Sequence, residues 1–412
     1  MDLAYVSLAA LIIAILVSCF TELNVGILSL AFSFIVGVYF GGMKLDDVIR
    51  GFPTSLFLTL AGVTLLFTQA QLNGTLDRIA HRAVRICRGN VGLIPVIFFL
   101  LGCGLASIGP GNISTTALLG PMAMATAARA GIPPFLMIIM VGNGAQSGSL
   151  SPFAPTGIIV NGLMTKIGLA GHEWHTYWTN AAAHATVAFG GYFVFGGLRL
   201  FRFAYTGGVE EAPEAIRLDT GHWITIGVIL ALVVGVLFFG VNVGMGAFVG
   251  AVLLAVVGAA DHRESIKKMP WSVITMVSGV TVLIALLEKT GGLDLFTAML
   301  ARFATPKTIT GFIAFVTGLI SVYSSTSGVV LPAFLPTIPG LIQRLGGGDP
   351  VSIATSINVG GHLVDVSPLS TIGALCLAAM APSENVRKVF TQLLAWGLSM
   401  SVVGAVISYV FF

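Results

Sequence analysis

Four short stretches of the sequence combine hydroxyl and amide side chains with the helix breakers glycine and proline. They are Ser107–Thr116, Asn143–Gly157, Ser324–Gly328 and Asn358–Thr371, and none of them contains lysine or arginine. Hydroxyl, amide and backbone N–H groups can bind a carboxylate by hydrogen bonds. Carbonyl oxygens freed where a helix breaks are suitable ligands for hard cations. These residue types therefore indicate a site for a small organic anion together with a cation.

The first and third stretches are expected to begin helices, near Ile113 and near Val329. Asn112 or Ser114, and Ser327, are suitable N-caps because their side chains can accept a backbone N–H. A helix N-terminus presents unpaired N–H groups and the positive end of the helix dipole. Two such ends that meet would form an anion site without a buried arginine or lysine.

Candidate roles follow from these positions, and they include no catalytic residue. The residues expected to face the substrate are Asn112, Ser114, Thr115, Ser151, Pro152, Ser325, Thr326, Ser327, Ser367, Pro368 and Thr371. The residues expected to take part in cation coupling are Ser107, Gly111, Asn143, Ser149, Ser324, Asn358, His362 and Asp365. No cofactor is predicted, and Na⁺ is considered only as a coupling ion. Any single hydroxyl could instead bond only to its own helix, four residues back.

Asp365 is the only acid between Asp349 and Glu384. An acid inside an apolar segment is a functional candidate by default. It could carry a proton, bind Na⁺, or pair with His362, which lies three residues earlier on the same helical face. His184 lies in an otherwise apolar segment and is interpreted as a packing residue.

The elements that must position these residues are membrane helices. Of the 412 residues 56% are hydrophobic and only 9% are charged, whereas a soluble domain carries about 25% charged residues. The 51 glycines fit closely packed helices in a bilayer. This composition excludes a soluble enzyme and a disordered chain, and the net charge of +3 gives no reason to expect nucleic acid as a partner. We expect a multi-pass protein of the lipid bilayer, in a bacterial inner (plasma) membrane.

The chain also carries signs of an internal duplication. Short motifs recur in the same order, 215 to 217 residues apart: Gly62-Val63-Thr64 with Gly279-Val280-Thr281, Gly74-Thr75-Leu76-Asp77 with Gly291-Gly292-Leu293-Asp294, Asn143 with Asn358, and Ser151-Pro152 with Ser367-Pro368. Each half is predicted to have five crossings and one re-entrant hairpin. An odd number of crossings would insert the second half upside down, as in inverted-repeat transporters.

We therefore predict an all-α polytopic membrane protein made of two inverted-topology repeats. The first repeat, 1–215, comprises scaffold helices at 1–72, an amphipathic stretch at 75–88, a hairpin at 91–129, a broken helix at 133–168 and a final span at 176–200. The second repeat, 216–412, comprises scaffold helices at 221–288, a hairpin at 308–345, a broken helix at 350–382 and a final span at 388–412. A turn at Gly240-Val241-Asn242 is expected to separate two spans.

At these motifs the chain resembles the ion transporter superfamily, which includes the divalent-anion/sodium symporters. Ser107–Pro121, SIGPGNISTTALLGP, resembles the tip of the first hairpin of that superfamily, and Ser324–Ser327 resembles the second tip. Ser151-Pro152 and Ser367-Pro368 match its two unwound helices. The first half is most similar to the MatC-type malonate/dicarboxylate carriers. The resemblance implies inverted repeats, a scaffold and a moving transport part, elevator-type alternating access and a homodimer.

The resulting hypothesis is a secondary transporter of a small carboxylate, a short dicarboxylate such as malonate or succinate, driven by a Na⁺ or H⁺ gradient. A Na⁺/H⁺ antiporter of the same superfamily is the nearest alternative, because Asp365 is the one strong acid inside a predicted span. An anion channel is a lesser alternative. An intramembrane hydrolase is disfavoured because the sequence contains no GxSxG motif.

Overall fold

The computed structural model describes residues 2–21, 23–84, 90–203, 218–381 and 383–412, without the side chains of 18, 19 and 80–84. Within these ranges all regular secondary structure is helical. Six of the described helical segments are long and apolar enough to cross a membrane: Thr54–Leu72, Thr220–Phe239, Trp271–Thr290, Thr326–Leu345, Pro350–Ala378 and Val386–Phe411. The chain is therefore an all-helical, multi-pass membrane protein.

The helices of the first half are α1 (Leu3–Phe20), α2 (Val25–Phe34), α3 (Leu45–Ile49), α4 (Thr54–Leu72), α5 (Thr75–Val84), α6 (Leu93–Ile108), α7 (Gly111–Ala130), α8 (Pro134–Gly148), α9 (Pro155–Lys166), α10 (Glu173–Val194) and α11 (Gly197–Leu200). A π-helical turn, Ile35–Phe40, extends α2. The predicted amphipathic stretch 75–88 begins with α5, while Arg85 and Arg88 lie outside the described residues.

The helices of the second half are α12 (Thr220–Phe239), α13 (Val243–Val256), α14 (His262–Lys268), α15 (Trp271–Thr290), α16 (Gly292–Ala301), α17 (Ile309–Ser321), α18 (Leu331–Phe334), α19 (Ile338–Leu345), α20 (Pro350–Leu363), α21 (Thr371–Ala378) and α22 (Val386–Phe411). Short π and 3₁₀ turns join Thr326 through Leu345 into one continuous arm. The predicted turn between two spans is confirmed, since α12 ends on left-handed Gly240 and Asn242 caps α13.

Helix starts occupy matching positions in the two halves. Asp2 caps α1 and Asp219 caps α12, and the two residues are 217 apart. Asn24 caps α2 and Asn242 caps α13, and these two are 218 apart. In all four cases the side-chain oxygen accepts a backbone N–H of the first helical turn. The recurring sequence signals thus produce recurring helix boundaries.

Glycines let helices of opposite halves touch backbone to backbone. A methyl group on Gly26 of α2 would collide with the backbone of α15, and one on Gly279 of α15 would collide with Gly26. The matching contact joins Gly62 of α4 to Gly244 of α13. Small residues permit this close approach of membrane helices. Helices α2 and α4 of the first half are therefore packed directly against α15 and α13 of the second half.

The remaining helices include two helical hairpins and two broken helices. α6 and α7 form the first hairpin, and α17 with the arm Thr326–Leu345 forms the second. α8 and α9 form the first broken helix, and α20 and α21 form the second. Gly144 of α8 abuts the backbone of Phe99 in α6, and Gly360 of α20 abuts Ala314 in α17 in the same way. Each hairpin is thus locked to the first segment of a broken helix in its own half.

Candidate functional site

The tip of the first hairpin is a glycine-dependent turn. Gly109 and Gly111 have φ angles of +140° and +75°, a region that favours glycine. A methyl group on Gly109 would also collide with the ring of Phe67. α7 begins at Gly111 with Pro110 at its N-cap, so the prediction that Asn112 or Ser114 caps this helix is wrong. Pro110 makes no cap hydrogen bond, and Asn112 Nδ2 donates instead to Gln146 Oε1 at 2.8 Å.

The tip of the second hairpin has a hydroxyl cap. The helical arm begins at Thr326, and Ser325 Oγ accepts the N–H of Gly328 at 3.1 Å. The predicted cap, Ser327, is wrong by two residues, because the helix begins at Thr326 and not near Val329. Ser327 lies instead inside the first turn.

Asp365 stands at the break of the second broken helix, in a 3₁₀ turn between α20 and α21. Its two carboxylate oxygens have different partners. Thr326 Oγ1 of the second hairpin donates to Oδ1 at 2.7 Å, and Gln146 Nε2 of α8 donates to Oδ2 at 2.9 Å. Gln146 Oε1 in turn accepts from Asn112 Nδ2 at 2.8 Å. One chain of hydrogen bonds therefore joins both hairpin tips to both broken helices.

A cavity of about 220 Å³ opens at this junction. Its lining residues come from both hairpin tips and from the second break: Asn112, Ile113, Thr156, Tyr323, Ser324, Ser325, Thr326, Ser327, His362, Asp365, Leu369, Ser370, Thr371 and Ile372. Hydroxyl and amide groups dominate this wall. Among the described residues its lining contains no lysine or arginine, and Asp365 is its only carboxylate.

The predicted substrate residues are only partly gathered around this cavity. Asn112, Ser325, Thr326, Ser327 and Thr371 line it. Ser114 lines a smaller neighbouring cavity of about 100 Å³, which shares Asn112 and Ser327 with the first. The lining of neither cavity includes the remaining candidates, Thr115, Ser151, Pro152, Ser367 and Pro368.

The predicted coupling residues are divided in a similar way. Ser324, His362 and Asp365 line the main cavity, and Gly111 lines the smaller one. Ser107 Oγ donates to Cys103 O at 2.6 Å, and Ser149 Oγ donates to Gln146 O at 2.7 Å. These two hydroxyls therefore satisfy backbone carbonyls within the first half.

Asn143 and Asn358 are both buried, as an amide in a membrane core should be. Asn143 Oδ1 lies 2.8 Å from His184 Nδ1, while Asn358 offers its backbone oxygen to His362 Nδ1 at 2.7 Å. His184 thus has a specific polar partner in addition to its packing contacts. His362 Nδ1 bonds to its own helix, and the partners found for the Asp365 carboxylate are Thr326 and Gln146.

Sequence reasoning missed several residues of this site. Gln146 connects Asn112 to Asp365, and Ser370 Oγ donates to the backbone oxygen of Asp365. Tyr323 and Thr156 complete the wall of the cavity. A signal existed for Gln146, since a glutamine in the first broken helix needs hydrogen-bond partners inside a membrane. The sequence does not reveal that its partner lies 219 residues away.

Comparison with known proteins places the chain among transport proteins. Residues 1–149 match the family model described as the N-terminus of the dicarboxylate carrier protein MatC. Uncharacterised transporters of Mycobacterium bovis and Mycobacterium tuberculosis are each 22% identical over 351 residues, which cover 80% of this chain and 80% of each relative.

Two solved transporter structures share the fold. The YdaH transporter of Alcanivorax borkumensis superimposes with a TM-score of 0.61 at 17% identity, over 91% of this chain and 88% of that one. MtrF of Neisseria gonorrhoeae, described as illuminating a class of antimetabolite efflux pumps, gives 0.59 at 12% identity, over 91% and 83%. The resemblance to MatC-type carriers is thus confirmed over residues 1–149, and the chain has the fold of a membrane transporter rather than that of an enzyme.

Proposed function

We propose that the protein is a secondary active transporter of a small organic anion, a short dicarboxylate of the malonate or succinate kind, coupled to Na⁺ or H⁺. The observation that carries this proposal is the polar cavity at the meeting point of two hairpin tips and a broken helix. Hydroxyls, the Asn112 amide and the first turns of two helices offer hydrogen-bond donors to a carboxylate.

The carboxylate of Asp365 gives a physical reason for coupling. An ionised Asp365 in the cavity wall repels an anionic substrate, and this repulsion is strong where water is scarce. A bound Na⁺ or proton neutralises the acid and removes the repulsion. Binding of the cation and of the anion then favour each other, which is the requirement for symport.

The oxygens around Thr326 form the best candidate Na⁺ site. Thr326 Oγ1 lies 2.7 Å from Asp365 Oδ1 and 3.3 Å from Gly361 O, and it also contacts Ser321 Oγ. Carboxylate, hydroxyl and carbonyl oxygens are the ligands that hard cations prefer. Ser321 was not among the residues expected from the sequence.

The matched helix caps and the crossed glycine contacts support a duplicated chain. We assign the two halves as inverted repeats, with α1–α4 and α12–α15 as the scaffold and the hairpins and broken helices as the transport part. Movement of that part past the scaffold would give elevator-type alternating access. A homodimer in a bacterial inner membrane is the expected assembly.

Uptake into proteoliposomes tests the proposal, with a panel of carboxylates and with Na⁺ and pH gradients imposed separately. Saturable uptake of a short dicarboxylate under one of these gradients is expected. If no carboxylate is taken up while Na⁺ drives proton movement, the protein is an antiporter, an alternative suggested by the single cavity acid Asp365. Flux that does not saturate would identify a channel.

Two substitutions test the site itself. Asn112→Ala and Thr326→Ala remove one hydrogen-bonding group from each hairpin tip and are expected to abolish uptake. Thr165→Ala is the matched control, because Thr165 Oγ1 is exposed and bonds only to Asn161 O at 2.8 Å. Undiminished uptake in both tip variants would contradict the site assignment.

A further inference from the structure

An apolar groove of about 650 Å³ lies next to the substrate cavity. Three helix faces form its walls, and on each of them the lining side chains recur every three or four residues. These faces belong to residues 12–20 of α1, 296–300 of α16, and 316–323 of α17 and the turn that follows it. Phe334 of the helical arm completes the lining, and its ring contacts that of Phe296 edge-on, with 5.3 Å between the ring centres.

The groove is open to the bilayer along its rim. Leu16 and Phe20 of α1, Met299 of α16 and Leu319 of α17 line the groove and are exposed apolar side chains. In a chain that crosses the membrane, such side chains face lipid. Among the described lining residues none is charged, and Tyr323 carries the one hydroxyl group. The groove therefore suits a hydrocarbon group and offers almost nothing to a polar one.

Tyr323 lies at the boundary between the groove and the substrate cavity, and it lines both of them. It sits in the turn after α17 and immediately precedes Ser324, the first serine of the second hairpin tip. A tyrosine combines an apolar ring with a polar end, which suits a boundary of this kind. On one side of the ring the wall is made of hydroxyl and amide groups, and on the other side it is made of hydrocarbon.

The two spaces differ in size as well as in chemistry. The substrate cavity measures about 220 Å³, below the range of about 300–1,000 Å³ typical of pockets for drug-sized ligands. It therefore suits a head group the size of a short dicarboxylate. The groove, at about 650 Å³, lies within that range. Together the two spaces match a molecule that has a carboxylate head and an apolar tail. A phospholipid tail that entered from the bilayer would leave the polar wall beyond Tyr323 unused.

We propose that the protein binds amphiphilic carboxylates, with the carboxylate head in the substrate cavity and an alkyl or aryl tail past Tyr323 in the apolar groove. A malonate that bears an alkyl chain on its central carbon is the simplest ligand of this class. The inference rests on the proposed function for the position of the head group. It extends that function by naming a second class of ligand and the surface that recognises it.

The position of the tail also predicts what such a ligand does. The groove lies between α1, which we assign to the scaffold, and α17, which belongs to the second hairpin of the transport part. A tail held between these helices opposes movement of one past the other. We therefore expect long-tailed carboxylates to inhibit the uptake of short dicarboxylates.

Inhibition by a series of alkylmalonates, with tails from ethyl to octyl, measures binding of the tail. The assay is uptake of a radiolabelled short dicarboxylate into proteoliposomes. Each added CH₂ group that leaves water should tighten inhibition by about fourfold. Partition of the ligand into the bilayer strengthens inhibition in every variant alike, so the groove is tested by comparing variants. Inhibition that does not strengthen with tail length would overturn the proposal.

Two substitutions fill the groove from different walls: Leu319→Trp on α17 and Met299→Trp on α16. Leu398→Trp is the matched control, because Leu398 is an exposed leucine of α22, outside the residues that line the groove. The gain per CH₂ should fall below about twofold in the groove variants and stay near fourfold in the control. The same dependence on tail length in all three variants would come from the bilayer alone and would contradict the proposal.

Photolabelling of the unmodified chain in nanodiscs gives a measurement that needs neither transport nor a folded variant. The probe is an alkylmalonate with a diazirine at the end of its tail, and mass spectrometry locates the labelled residues. Label is expected on the groove faces of α1 and α16 and should be displaced by excess octylmalonate. An alcohol with the same tail should label these faces about tenfold less or weaker still, because it lacks the hydrogen bonds of a charged head.

Equal labelling by the alcohol and the alkylmalonate would show that the groove holds any hydrocarbon tail, lipid included, and would overturn the proposal. The same experiment separates this inference from the proposed function. If no short dicarboxylate is taken up, the proposed transport activity fails. Labelling of the groove that depends on the carboxylate head would still support the binding of amphiphilic carboxylates.

Discussion

The two halves of the molecule share a backbone plan but use it differently. Gly157 of the first half packs against the carbonyl oxygen of Ser151, and Gly373 of the second half packs against that of Ser367. The two glycines are 216 residues apart, and so are the two serines. Ser151 Oγ is engaged, donating to Ser107 O at 2.6 Å. Ser367 Oγ is buried without a partner among the described residues.

The same contrast appears two residues earlier. Ser149 of the first half, whose hydroxyl bonds to Gln146 O, corresponds to Asp365 of the second half, whose carboxylate faces the cavity. The first half therefore satisfies its break internally, while the second half presents its break to the cavity. The two halves thus match in these backbone contacts and differ in side-chain chemistry.

The largest expected effect comes from substituting Asp365, and the matching substitution of Ser149 serves as the comparison. Asp365→Asn should lower coupled uptake by about 100-fold or more. The variant loses hydrogen bonds to a carboxylate, which are worth about 1.5–3 kcal/mol, and it also loses the carboxylate proposed to bind the coupling cation. Ser149→Ala should stay within about threefold of the unmodified chain, since it removes one neutral hydrogen bond. Uptake assays on both variants make the comparison. Equal losses would mean that the two halves contribute alike.

Gln146 is a first-half residue that connects Asn112 to Asp365 of the second half. Gln146→Leu removes the bonds to Asp365 and Asn112 and is expected to weaken substrate binding by about tenfold, the effect of about 1.4 kcal/mol. Equilibrium binding to purified protein measures this change. Gln392→Leu on the exposed face of α22 is the control. Binding that Gln146→Leu leaves intact would show that the bridge between Asn112 and Asp365 is not needed for substrate binding.

Substitutions of matched glycines should destabilise the protein to a similar extent, because both halves make the same backbone contact at these positions. Gly144→Ala and Gly360→Ala each force a methyl group against the facing backbone. Each is expected to lower the free energy of unfolding by about 1–3 kcal/mol, as overpacking does. Gly190→Ala is the control, since nothing lies within 4 Å of an added Cβ there. Denaturant unfolding in detergent tests this, and a loss in only one half would break the proposed equivalence.

The smallest effect concerns the matched caps at the helix starts. Backbone N–H donation from His222 lowers the pKa of the exposed Asp219 carboxyl. Its contribution to stability is therefore present above the ordinary carboxyl pKa and is lost as the pH falls through the lowered value. Asp219→Asn should flatten the acid side of the curve of thermal unfolding midpoint against pH slightly. A curve of unchanged shape would exclude a role for this charge.

Sequence patterns predicted the breaks of the fold better than its contacts. Glycine and proline affect the backbone conformation next to them. The hairpin tips and the turn at Gly240 could therefore be located from the positions of these residues in the sequence. Two N-caps lie two residues earlier in the sequence than expected. Pro110 occupies the N-cap of α7 in place of Asn112, and Ser325 occupies the N-cap of the second arm in place of Ser327.

The candidate site depends on pairings between distant parts of the chain. Nothing near Gln146 in the sequence indicates that Asp365 is its partner, and His184 differs from a packing histidine only through Asn143. Such bonds are set by how α8, α10 and α20 pack, and packing is a property of the whole fold. The residues that could be predicted are those whose role is local.

The crossed glycine contacts also constrain how the protein is made. α2 and α4 dock on α15 and α13, which are synthesised roughly 200 residues later. At about 5–20 residues per second, the ribosome needs about 10–40 s to deliver these partners. During that interval the glycine faces of α2 and α4 lack the helices against which they pack in the finished fold. We therefore expect separately expressed halves to assemble only when they meet in the membrane, because each half alone lacks the partners of these glycine faces.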